Sequence, residues 1–173
     1  MKLLKYMKKI TERTLSTGDR QKDICVSDVF HLWNHLVQRY NVLHLTNFLE
    51  AFASDADLKL ILALGKKTLG EHVSKLEKEM LAYGIPLPYR HPKQTRAINN
   101  IGAITDRYIY RRVLRGIQSF LPTHIMAYIH STSPDIRELF LAFLIQELEL
   151  YDKFIEYGKF KSYLIIPPTY KSS

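Results

Sequence analysis

Cysteine is nearly absent: Cys25 is the only one among 173 residues. This excludes a disulfide framework and any cysteine-rich zinc module. Glycine and proline are scarce at seven each, which excludes collagen-like and low-complexity chains. No apolar run approaches the roughly 18 residues that a membrane-crossing helix needs. Lysines interrupt the stretch Met1 to Ile10, so the apolar region of a secretory signal is missing and cytoplasmic synthesis is the expectation. Acidic residues are in the minority, 17 Asp and Glu against 25 Lys and Arg, for a net charge of +8. A basic balance favours anionic partners. No zinc finger, basic zipper or RNA-binding signature accompanies it, so no specific nucleic-acid partner is expected.

What is abundant is apolar side chain, 46% of the residues, arranged with helical periodicity in four long segments. The first runs from Ser27 to Phe52, with Ser27 as N-cap and an apolar stripe of Phe30, Trp33, Val37, Tyr40, Phe48 and Phe52. The second runs from Asp55 to Tyr83, and Gly84, Pro86 and Pro88 stop it. The third runs from Thr105 to His130. The fourth opens at Ser133 as N-cap, with Pro134 at its first position, and stops near Gly158. The first and second segments are joined tightly, as are the third and fourth, so each pair is an antiparallel hairpin. The connection from Gly84 to Ile104 is long enough, at about 3.3 Å per extended residue, to run the length of a helix rising about 1.5 Å per residue. The expected fold is therefore all-α: a four-helix bundle of ferritin-like arrangement, with a long crossover between its middle helices and a short extra N-terminal helix. A basic segment over 1–26, a bundle over 27–160 and an extended tail over 161–173 divide the chain. Leu3, Leu4, Met7 and Ile10 share one face of the first segment, which suits docking on the body or on a second subunit.

Each long segment carries one polar, metal-competent side chain inside its apolar stripe. These are His44 between Tyr40 and Phe48, His72 between Leu69 and Leu76, His124 between Leu121 and Tyr128, and Glu147 between Phe143 and Tyr151. A carboxylate in an apolar core needs a partner. Imidazole and carboxylate together suit Fe, Zn or Mn, so His72, His124, Glu147 and His44 form the candidate metal set. Hydrogen bonding among core histidines and tyrosines is the competing reading. The Glu-x-x-His pattern of di-iron bundles is missing, since Leu69 precedes His72 by three and Leu150 follows Glu147 by three. His31 and His35 stand at i, i+4 and read as a surface pair flanking the stripe. Gly65 to Thr68 has no glycine at position 60 and is no phosphate loop. No nucleophile elbow or His-Glu-x-x-His motif occurs.

The segment GEHVSKLEKEMLAYGIPLP (Gly70 to Pro88) resembles the end of the second helix in a domain-of-unknown-function family of spore-forming Firmicutes. STSPDIRELFLAFLIQELELYDKFIEYGKF (Ser131 to Phe160), followed by YLIIPPTY (Tyr163 to Tyr170), is similar to that family's last helix and Pro-Pro tail. FHLWNHL (Phe30 to Leu36) resembles its first-helix tryptophan region. The likeness spans Asp28 to Tyr170, and YRHPKQTRAINN (Tyr89 to Asn100) replaces the family's usual loop. It implies a ferritin-like fold and a role like that of candidate spore coat proteins, with no activity to carry over. The expectation is a non-enzymatic structural or interaction protein with protein partners or a homo-oligomer, located in the cytoplasm or spore coat. The alternative is a metal-binding ferritin-like protein.

Overall fold

A computed structural model describes residues 16–90, 102 and 104–167. The face Leu3, Leu4, Met7 and Ile10, most of the loop Tyr89 to Asn100, and the tail beyond Pro167 lie outside them. Among the described residues all regular structure is helical: α1 Thr17–Gln21, α2 Val26–Glu50, α3 Ala56–Ala82, α4 Asp106–His130 and α5 Pro134–Phe160.

Local chemistry sets the ends. Asp55 caps α3 by accepting from the backbone N–H of Asp57 and Leu58, and Thr105 caps α4 by accepting from that of Tyr108. Gly84, at φ +68°, ends α3. Beyond it the Ile85 N–H reaches back to the Met80 carbonyl at 2.8 Å, a helix stop in which apolar Ile85 folds onto Met80. Two expectations are corrected. The first residue of the α2 cap is Cys25, whose N–H is taken by the Asp28 carboxylate at 2.9 Å. Ser27 instead donates to the His130 carbonyl at 3.1 Å. The last helix runs past Gly158 to Phe160, because Gly158 lies at a helix contact. A Cβ there would sit 1.8 Å from the Tyr110 hydroxyl oxygen.

Neighbouring helices run antiparallel. Tyr40 of α2 donates to Glu77 of α3 at 2.6 Å, while Glu50 pairs with Lys66. Ser27 of α2 meets His130 of α4, and Tyr110 of α4 donates to the Phe154 carbonyl of α5 at 3.0 Å. His72 of α3 meets Gln146 of α5 at 2.9 Å. Hence α3 and α4 point the same way. The start of α4 sits at the α2–α3 turn, where the Asp106 carboxylate accepts from Ser54 and Asp55 N–H at 2.8 and 3.1 Å. Lys161 bonds Asp55 and Asp57, each at 2.8 Å, and ties the end of α5 to the same place.

Two apolar clusters fill the bundle. One packs Leu32 and Leu36 of α2 against Val73, Leu76, Met80, Phe140 and Phe143. The other packs Leu58 and Leu62 of α3 against Ile109, Tyr110, Leu114 and Phe154. The α2 stripe is turned from its expected position: Phe30 is 58% and Trp33 43% exposed, while Leu32 and Leu36 are fully buried. Between the two clusters lies a layer of buried polar side chains: His35, Arg39, His72, His124 and Glu147.

Candidate functional site

The layer is assembled around one carboxylate. Glu147 projects inward from α5 and is 2% exposed. A charge in that position is tolerable only beside an opposite charge, and α2 supplies it. Arg39, fully buried, brings Nη2 to 2.7 Å from Glu147 Oε2. Its Cζ also lies 3.7 Å from the centre of the Phe120 ring, a cation–π contact that offsets part of the lost hydration.

The same Nη2 stands 2.9 Å from His124 Nε2. A guanidinium can only donate, so His124 Nε2 accepts and its proton resides on Nδ1. That proton faces His35 Nε2 at 3.1 Å, so His35 in turn accepts at Nε2 and is protonated at Nδ1. One arginine thereby sets two tautomers. One turn nearer the bundle end, His31 Nε2 lies 3.1 Å from His130 Nδ1. On α3, His72 Nε2 lies 2.9 Å from Gln146 Oε1. With the amide oxygen accepting, the His72 Nδ1 lone pair is left without a partner and faces Glu147 Oε2 at 4.0 Å.

Burial keeps these imidazoles neutral. It pushes His35 down to about 2, helped by the neighbouring His124 ring and the Arg39 charge. It pushes His72 down to about 3, helped by Arg39. His124 and His31 are lowered as well, burial being the leading cause in both. Burial by itself would raise Glu147. The Arg39 charge and its hydrogen bond to the carboxylate outweigh it and hold the carboxyl below its usual range.

Of the four residues singled out in the sequence, the fold brings His72, His124 and Glu147 together. One ligand-capable atom from each lies within 4.8 Å of the others. His44 is half-buried further along α2 and is not among them. The donors are of the right type for a transition metal, and His124 Nε2 is 3.6 Å from Glu147 Oε2. Ligands bound at about 2.0–2.2 Å in a tetrahedron stand close to that far apart. Arg39 Nη2, however, already takes the His124 Nε2 lone pair and bonds Glu147 Oε2. The place a metal would take is filled by the protein's own cation, and the residues as arranged do not accommodate a second one.

The surface-pair reading of His31 and His35 is wrong. His35 is fully buried and His31 is 8% exposed, and each meets a histidine of α4 instead of the other. Arg39 was missed because arginine in a sequence reads as solvated. A signal was present: His31, His35 and Arg39 recur every four residues beside Leu32, Leu36 and Tyr40, and a lone inward carboxylate requires a cation.

A family model described as Protein of unknown function (DUF3231) matches residues 13–173. No curated protein matches the chain. A solved structure from Bacillus halodurans C-125, described as "a putative spore coat protein", is 20% identical with a TM-score of 0.81, over 86% of this chain and 96% of that one. A conserved hypothetical protein from Mycobacterium tuberculosis is 12% identical with a TM-score of 0.63, over 76% of this chain and 96% of that one. At these identities the likeness is one of fold.

Proposed function

This chain belongs to the DUF3231 family, and from that premise we propose that it is a non-catalytic helical bundle acting by packing and assembly, as a spore coat component would. The observation that carries the reading is the Arg39–Glu147 pair. The polar layer brings acid, base and metal-competent groups together in the described core, and its charges are spent on each other. Glu147 is held by Arg39, and His35 and His124 are held in fixed tautomers by it. Such a layer fixes which helices pack together and in what register, a use attested for buried polar groups in other bundles. The helix directions, with α3 and α4 parallel, support the ferritin-like connectivity and a crossover between them. The likeness to the Bacillus halodurans protein supports the coat context.

The assembly surface lies at the bundle end where α2 starts and α4 finishes. Val26, Phe30 and Trp33 of α2 and Ile129 of α4 are exposed there, at 86%, 58%, 43% and 60%. A soluble surface seldom leaves aromatic and aliphatic side chains grouped without a use. The partner in this reading is a second copy of the chain. Sedimentation of the wild type at rising concentration should show association, and Phe30→Ser with Trp33→Ser should abolish it with the thermal transition retained. A strictly monomeric wild type overturns the reading.

One observation favours metal binding as the second reading: the unpartnered His72 Nδ1 directed at Glu147. Fe, Zn or Mn held by His72, His124 and Glu147 would require Arg39 to swing away. Elemental analysis of protein purified without chelator separates the two. About one equivalent of a single metal in the wild type, lost in His72→Ala with His124→Ala, supports the second reading. Metal taken up only once Arg39→Met has removed the resident cation supports the first.

A further inference from the structure

Below the polar layer the bundle is not filled. A cavity of about 310 Å³ lies between α2, α3, α4 and α5. Its inner end is closed by Arg39 and Glu147, whose charges cancel, and its walls are Leu49, Leu62, Leu69, Ile117 and Phe154 among others. The two hydroxyls on the wall are turned into their own helices. Thr46 donates to the Val42 carbonyl at 2.8 Å and Ser119 to the Gly116 carbonyl at 2.7 Å. The interior therefore presents hydrocarbon and no free neutral hydrogen-bonding group from these side chains.

The mouth opens between α2 and α4, where Leu45, Arg112, Arg115 and Ser119 are exposed. Arg112 and Arg115 are the charges at this rim, and neither is drawn into an ion pair among the described residues. Gly116 directly follows Arg115 and stands one turn on from Arg112. It interrupts a helix with the poorest helix former after proline. It does not do so for close packing, since a Cβ there would meet no atom within 4 Å. Its effect is to leave the entrance open.

We infer that this cavity is a binding site for a single-chain anionic amphiphile, with the chain inside and the anionic head at Arg112 and Arg115. An apolar interior with a few charged groups at one end is the usual make-up of a small-molecule pocket. A dry cavity of about 150 Å³ holds benzene, so twice that volume suits an aliphatic chain on the order of twelve carbons. The head stays at the rim because the inner end is already neutral and Glu147 would repel an anion there. Arginine at the rim suits a carboxylate, which its fork binds in a bidentate manner. This site is separate from the assembly surface and stands or falls independently of it.

The test is calorimetric titration of the full chain, freed of bound lipid, with dodecanoate, dodecanol and inorganic phosphate in turn. Dodecanoate should bind at about one per chain, dodecanol roughly tenfold more weakly, and phosphate without saturation. Arg112→Gln with Arg115→Gln should lower dodecanoate to the level of dodecanol. Gly116→Leu should abolish uptake of both, with thermal stability unchanged or raised, because leucine is the better helix former and has room. The inference is overturned if dodecanoate shows no saturable binding, if Gly116→Leu binds it as the wild type does, or if dodecanol binds as tightly as dodecanoate.

Discussion

A guanidinium and a carboxylate buried together are stable only as a unit. Arg39 and Glu147 are each at most 2% exposed, so removing one strands the other in a medium that cannot hydrate it. Arg39→Met or Glu147→Leu should each cost about 3–5 kcal/mol. Arg39→Met combined with Glu147→Leu should cost less than either alone, because apolar side chains can replace a whole buried pair at little loss. Urea unfolding of the four proteins decides it; a double variant that loses the sum of the two singles means the residues act separately. At this scale the sequence was partly legible. His72, His124 and Glu147 each interrupt an apolar stripe, and that interruption is what placed them in the core. His44 interrupts a stripe too, but that stripe was drawn through Phe30 and Trp33. Aromatic identity weighed too heavily there: the buried face of α2 runs through Leu32, Leu36 and Tyr40, with His35 and Arg39 beside it.

At the scale of the helix, the ends were legible because caps are local chemistry. Asp55 and Thr105 cap with their side chains, Gly84 turns at φ +68°, and α5 begins at Pro134 after Ser133, although the Ser133 side chain makes no capping bond. Gly158 is different. Its role depends on a residue 48 positions earlier, so no local rule could distinguish it from a stop. Its missing side chain lets α4 and α5 approach until Tyr110 lies against the α5 backbone. A Cβ at 158 would stand 1.8 Å from the Tyr110 hydroxyl oxygen and 2.2 Å from the ring carbon bearing it. Tyr110 has no room to yield, being fully buried among Phe154, Tyr157 and Tyr163. Gly158→Ala should therefore destabilise by about 1–3 kcal/mol, although alanine is the better helix former. Adding Tyr110→Phe should not rescue it, since the ring carbon itself is too close. A thermal melt in which Gly158→Ala is as stable as the wild type, or in which Tyr110→Phe restores it, would rule out this account of the α4–α5 contact.

For the whole molecule, the position of the polar layer between two apolar clusters makes folding sensitive to acid. In the unfolded chain an imidazole titrates near pH 6.5. In the folded chain His35 is pushed down to about 2 and His72 to about 3, chiefly by burial, and His31 and His124 are lowered too. Between pH about 6.5 and about 3 the unfolded state therefore binds protons that the folded state refuses. Stability is full above that window and falls as pH drops through it. The slope is about 1.4 kcal/mol per pH unit for each histidine so held. Glu147 works in the same direction at the acid end, since its lowered pKa means that protonating it also favours unfolding. For a domain whose total stability is about 5–15 kcal/mol, two such histidines remove a large share by pH 5. Urea midpoints should stay nearly level from pH 7.5 to about 6.5 and then fall down to pH 5, where unfolding takes up about two protons or more. His35→Phe should reduce that uptake by about one proton. A midpoint that stays level from pH 7 to 5 would mean that the histidines of the layer reach solvent in the folded state, and the buried Arg39–His124–His35 chain would have to be abandoned.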